Sequence, residues 1–116
     1  MGNTVVLIPS EDCPLVATEF YQVLATSDVP AGVVNIVTGS KSSLAPVLAE
    51  HDDVDAIWCA EHAELGQIVE NLSVGNLKQT WITKGSRNWA DSNIGEGREF
   101  LRRATQVKNL WVPYGE

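Results

Sequence analysis

Few side chains in this 116-residue sequence could carry covalent chemistry: two cysteines, Cys13 and Cys59, and two histidines, His51 and His62. The thiolate is the reactive form of cysteine, so a nucleophile needs a positive or dipolar neighbour. Cys59 ends an apolar, strand-like run, where a buried thiol serves packing. Cys13 precedes Pro14 at a helix start, where the helix dipole favours a thiolate. A modestly reactive exposed thiol and a plain capping or loop role both fit that position. Cys59, His62 and the distant His51 lack the spacing and number of donors of a zinc set, so no metal is expected. No catalytic residue is assigned.

The elements that must position these groups can be read from hydropathy. Asn3 to Pro9 is a short β-branched run stopped by proline and predicts a buried strand. Pro14 suits the first turn of a helix. Val16, Phe20, Val23 and Leu24 follow at i, i+4, i+7 and i+8, one apolar stripe expected to face a core. Pro30-Ala31-Gly32 breaks the chain, and Val33 to Val37 predicts a second strand. Leu44, Val47 and Leu48 mark a short helix with Pro46 in its first turn. Val54 to Cys59 predicts a third strand, and Leu65, Ile68, Val69 and Leu72 a third helix. Leu77 to Thr83, carrying Trp81, predicts a fourth strand. Residues 85–97 read as a Gly/Ser/Asn-rich loop. Glu99 to Ala104 then predicts a short helix and Val107 to Val112 a last strand, closed by Pro113-Tyr114-Gly115.

Strands alternating with helices of this length predict right-handed βαβ units: an α/β fold with an open parallel sheet and helices on both faces, Rossmann-like, plus a C-terminal helix and strand. The domains are then residues 1–85, a loop over 86–97, and the segment 98–116. A chain of this size buries roughly two-thirds of its unfolded surface, enough for a modest core.

The net charge is −7, which argues against a nucleic-acid partner. No apolar run reaches the ~20 residues of a membrane helix. The opening residues lack a secretory signal pattern, and two cysteines make no disulfide framework, so a cytoplasmic location is expected. Charge is unevenly spread. Residues 1–77 hold one basic residue, Lys41, against eleven acids, a net of −10, whereas residues 78–116 hold seven basic residues against four acids, a net of +3. Two such segments can attract each other, within or between chains; ordinary surface variation gives the same pattern. Trp58 is expected in the core or at a strand edge. Trp89, Phe100, Leu110, Trp111 and Tyr114 crowd the tail, where large aromatics suit packing or an interface.

The run Gly2-Asn3-Thr4-Val5-Val6-Leu7-Ile8-Pro9-Ser10-Glu11 resembles a strand of aldehyde dehydrogenases, G-N-T-V-V-L-K-P-S-E, with Ile8 in place of lysine. The likeness continues through Pro14-Leu15, Val29 to Gly39, His51 to Asp55, and Gly75-Asn76-Leu77-Lys78. The tail, Gly97 to Glu116, looks like the carboxyl end of aldehyde dehydrogenase family sixteen, whose members carry a second, degenerate dehydrogenase-like region.

The resemblance implies roles. The family's lysine and glutamate hold the adenosine ribose of NAD(P). Glu11 matches the glutamate, but Ile8 cannot donate a hydrogen bond, so Glu11 is better read as a helix-start carboxylate. The family's F-T-G-S-T-E-V-G segment aligns with Cys59 to Gly66, so Glu61 and His62 replace the glycine and serine that admit the pyrophosphate. A carboxylate beside a phosphate at ~4 Å costs about 4 kcal/mol at an effective dielectric near 20. Thr83 stands where the family has its general-base glutamate and cannot act as one at neutral pH. The domain that bears the nucleophilic cysteine is missing between Gly85 and Arg98. Pro9, Ser10, Glu11 and Gly39 are expected as a vestigial cofactor site, with Glu61, His62, Thr83 and Gly85 lining the same crevice at the strand ends. No cofactor is expected for this chain, although the family uses NAD(P).

Two functions follow. One is a non-catalytic assembly domain of an aldehyde dehydrogenase, partnered by its own chain or by a catalytic region and joined through the C-terminal strand. The other is an oxidoreductase remnant that still binds NAD(P) and works with a catalytic chain that oxidises aldehydes to acids.

Overall fold

A computed structural model describes all residues except Met1, Glu61, Lys108, Leu110 and Glu116. It divides into two compact units, Met1–Gly85 and Ser86–Glu116.

The first unit alternates strand and helix: β1 (Val5–Leu7), α1 (Pro14–Ala25), β2 (Val34–Ile36), α2 (Lys41–Glu50), β3 (Ala56–Ala60), α3 (Ala63–Leu72) and β4 (Gln79–Thr83). The architecture is α/β with parallel pairing, as the βαβ rhythm predicts. Among the described residues the ladders form two pairs rather than one continuous sheet. β1 pairs with β2 in the register Val5↔Val34 to Leu7↔Ile36, and β3 with β4 from Ala56↔Gln79 to Ala60↔Thr83.

The elements are shorter than their apolar runs. β1 covers three residues of the predicted Asn3–Pro9 run, because Pro9 has no N–H for a ladder and the chain then turns toward α1. α2 begins at Lys41, earlier than Leu44, so Pro46 lies inside the helix and not in its first turn. The predicted fourth strand starts two residues late, because Leu77 adopts φ 55° in the left-handed region. Gln79 N then donates to Asp55 O at 2.9 Å and opens the β3–β4 ladder.

The core is small. Val69, Ala49 and Trp81 are its buried apolar residues, with Trp58 packed edge-on against Trp81 at a centroid distance of 5.1 Å. Gly66 is buried where α3 meets β4, and a Cβ there would collide with Ile82 Cγ2. The α1 stripe departs from expectation. Val16, Phe20 and Val23 are exposed, whereas Leu24 is half-buried along with Pro14 and Ala17. The Tyr21 hydroxyl accepts from Ile36 N at 2.9 Å and ties this packed face to β2. Total accessible area is 9068 Å².

The second unit holds α4 (Ser92–Gly95) and α5 (Arg98–Arg103). α4 interrupts the predicted loop because the Asp91 side chain accepts from Asn93 N at 2.9 Å and starts a turn. Arg87 lies over both Trp89 and Phe100, 5.4 and 5.5 Å from the ring centroids, and pairs with Glu99 at 3.4 Å. The predicted strand over Val107–Val112 is not formed at Val107, Asn109, Trp111 or Val112; Lys108 and Leu110 lie outside the described residues.

Candidate functional site

The parallel register puts the β1–α1 and β2–α2 loops at the same end of their strand pair. Pro9 is half-buried there, and Ser10, Glu11 and Gly39 are exposed. One contact joins the two loops: Glu11 Oε1 accepts from Lys41 N at 2.7 Å. Lys41 is the first residue of α2, so the carboxylate satisfies one of the four open N–H groups of that helix and meets its positive dipole end. Ser40, at the cap position, bonds Ser42 Oγ at 2.7 Å rather than capping the backbone. Glu11 is thus a helix-start carboxylate, as the sequence suggests, but for α2 and not for α1, which follows it directly. Gly39 packs tightly: a Cβ there would stand 3.0 Å from Leu44 Cδ1.

The β3–β4 pair carries the second group of aligned residues at its matching end. His62 caps α3 by position, without a side-chain hydrogen bond, and Glu64 sits in the first turn. Glu61 lies outside the described residues. Thr83 Oγ1 is buried without a hydrogen-bond partner among the described residues, and a hydroxyl in that setting is no general base. Gly85 takes φ 82°, a left-handed turn leaving β4.

Burial pushes the Cys59 thiol above its usual range, and the positive charge of Lys41 offsets part of that rise. A neutral thiol on a strand matches a packing cysteine rather than a nucleophile. Cys13 occupies the cap position of α1, exposed and without a side-chain cap bond. Among the described residues no group of three or more His, Cys, Asp or Glu side chains could hold a metal.

The sequence reading missed the work of Asn76 and Lys78. Lys78 is buried, and its Nζ donates to the carbonyls of Ala49 and His51, each at 2.6 Å, and of Leu48 at 3.3 Å. These are terminal carbonyls of α2, and a cation there suits the helix dipole. Asn76 Nδ2 donates to Asp52 O at 2.6 Å and Val54 O at 3.0 Å, while its Oδ1 accepts from Lys78 N. The run Gly-Asn-Leu-Lys is therefore a latch between the α2–β3 turn and β4. In the sequence the run stood out only through its family likeness and as an amide-bearing turn residue next to glycine, neither of which points to a latch.

The aldehyde dehydrogenase family model matches residues 1–90. The cytosolic aldehyde dehydrogenase 1 of Elephantulus edwardii is 31% identical over 107 residues, which cover 88% of this chain and 21% of that protein. An aldehyde dehydrogenase structure from Burkholderia cenocepacia, itself described as putative, superposes with a TM-score of 0.68 at 40% identity, covering 73% of this chain and 17% of the other. PnpE, solved in complex with nicotinamide adenine dinucleotide, gives 0.67 at 34% identity over 72% of this chain and 17% of its own. This chain spans about a fifth of the length of the curated relative. The match over residues 1–90 includes the strand and loop residues that carry the geometry above, and the chain belongs to the aldehyde dehydrogenase family.

Proposed function

We propose that this chain is a non-catalytic assembly domain of an aldehyde dehydrogenase, of the kind that forms the degenerate C-terminal region of family sixteen. The observation that carries the reading is the exposed apolar surface. Beside a core of Ala49, Val69 and Trp81, the chain exposes Val16, Val23, Trp111, Val112 and Tyr114, large apolar side chains of the kind that interaction surfaces use. The partner is a second copy or a catalytic dehydrogenase region, engaged through the tail. Ile8, Glu61 and Thr83 in place of the family's working residues support the absence of catalysis. Two free thiols suit a reducing cytoplasm, and among the described residues no helix is long and apolar enough to cross a membrane.

Light scattering on the full chain, together with an assay of NAD reduction on a panel of aldehydes, tests this reading. Association without turnover supports it. A monomer, or steady turnover abolished by Cys59→Ala, contradicts it.

A second reading has one supporting observation: Pro9, Ser10, Glu11 and Gly39 stand in the two loops at one end of the β1–β2 pair, where a nucleotide site of such a sheet lies. On that reading the chain still holds NAD(P) and serves a catalytic partner. A micromolar dissociation constant for NAD would favour it.

A further inference from the structure

The β1–α1 and β2–α2 loops leave the carboxyl ends of paired parallel strands, and one bond spans the gap between them. Glu11 Oε1 accepts from Lys41 N at 2.7 Å, across 30 residues of sequence. Both loops belong to the first unit. Local chemistry favours the bond from both sides. Pro9 and Pro14 bracket the Glu11 loop and fix φ at its two ends, so ordering the carboxylate costs little. On the other side Ser40 leaves the start of α2 uncapped, because its hydroxyl meets Ser42 Oγ, while Ser43 N and Leu44 N turn back to Ser40 O. Lys41 N takes its acceptor from outside the helix, and a carboxylate there also meets the positive end of the dipole.

A ligand of an open α/β sheet enters outside the carboxyl ends of the strands, between loops of this kind. In this chain a bond between its own groups bridges that entrance.

We propose that the Glu11–Lys41 bond is an autoinhibitory clasp, which must open before a dinucleotide can enter between the two loops. The proposal rests on the second reading above, in which the chain holds NAD(P), and names what limits that binding. The apparent dissociation constant rises as the inverse of the open fraction, so a clasp open for about a tenth of the time weakens binding tenfold.

The test cuts the bond from its backbone side and keeps the carboxylate. Lys41→Pro removes the N–H at the first helical position, where proline is tolerated. Ser40 already has the extended conformation that a following proline requires, with φ −67° and ψ 124°. Lys41→Ala is the control, since it loses the ammonium and keeps the N–H. Calorimetry with NAD on the full chain should give at least tenfold tighter binding for Lys41→Pro than for the parent, and no gain for Lys41→Ala. Glu11→Ala, which cuts the bond from the side chain, should also bind more tightly. Amide hydrogen exchange gives a readout without ligand: Lys41 should exchange at least tenfold faster in Glu11→Ala than in the parent, and equal rates overturn the clasp. A gain in Glu11→Ala without one in Lys41→Pro means that the negative charge, and not the bond, repels the phosphates, and overturns the clasp as well. A gain in Lys41→Ala does the same, because the N–H is still there. A parent that binds NAD as tightly as every variant overturns the clasp and leaves the NAD(P) reading standing, whereas no binding by any form at millimolar NAD removes both.

Discussion

The carboxylate of Glu11 and the backbone N–H of Lys41 meet at 2.7 Å, and this bond decides what the best-preserved part of the motif does. Glu11 follows Ile8-Pro9-Ser10, and its side-chain oxygen accepts from the first N–H of α2, thirty residues on. Glu11→Ala should therefore destabilise the chain by about 1 kcal/mol, the usual range for a lost cap. Glu11→Gln, which keeps an acceptor and loses the charge, should cost less. Urea denaturation measures both. A Glu11→Ala variant of unchanged stability would show that the bond contributes nothing in solution.

Lys78 should matter more. Lys78→Met removes donors from three carbonyls at the end of α2 and a cation from its negative pole. Hydrogen bonds to charged groups contribute about 1.5–3 kcal/mol, so a loss of that size is expected. A midpoint unmoved in urea would mean that water replaces the ammonium without cost.

The Gly66–Ile82 contact leaves no room for a methyl group. Gly66→Ala should cost about 1–3 kcal/mol as an overpacked site. Ile82→Ala opens the space, so the double variant should be more stable than the sum of the two losses predicts. Strict additivity in thermal melts would contradict the packing.

Much of this was legible in the sequence. The alternation of strand and helix, the helix start at Pro14 and the turn at Pro30-Ala31-Gly32 follow from local chemistry that tertiary contacts do not reverse. The facing of α1 was not legible. Val16, Phe20, Val23 and Leu24 form a proper stripe, but Tyr21 bonds Ile36 N and rotates the packed face onto Pro14, Ala17 and Leu24. Periodicity registers an apolar face and does not say which of two such faces meets the strands. The start of α2 was missed for a related reason: its cap arrives from Glu11, thirty residues earlier. At Val107, Asn109, Trp111 and Val112 the β-branched and aromatic run gives no strand, because a strand requires a partner that hydropathy does not supply. The resemblance singled out Ile8 and Thr83 as departures from the family pattern, while the Glu11–Lys41 bond needed coordinates.

The two thiols should differ in reactivity. Burial raises the Cys59 pKa and Lys41 offsets only part of it, so at neutral pH its thiolate fraction is below that of an ordinary cysteine. Iodoacetamide should label exposed Cys13 before Cys59, and Cys59 labelling should climb only at higher pH. Lys41→Ala removes the offsetting charge and should slow Cys59 further. Mass spectrometry of the modified peptides gives the order, and faster labelling of Cys59 at neutral pH would reopen its reading as a nucleophile.

The second proposed reading, in which the chain holds NAD(P), makes a separate prediction. Ile8→Lys with Glu61→Gly restores a ribose donor and removes a carboxylate from the pyrophosphate position, so NAD affinity measured by calorimetry should rise at least tenfold over the parent. No gain would mean that the crevice is closed for other reasons, such as the Glu11–Lys41 bond itself.

The central claim is assembly through the tail, and light scattering tests it most directly. At micromolar concentration the full chain should have a mass at least twice 12.6 kDa. A chain truncated after Gly97 should fall to a monomer while circular dichroism shows its helices intact. A full chain that scatters as a 12.6 kDa monomer, or a truncated chain that assembles as well as the parent, would contradict the account.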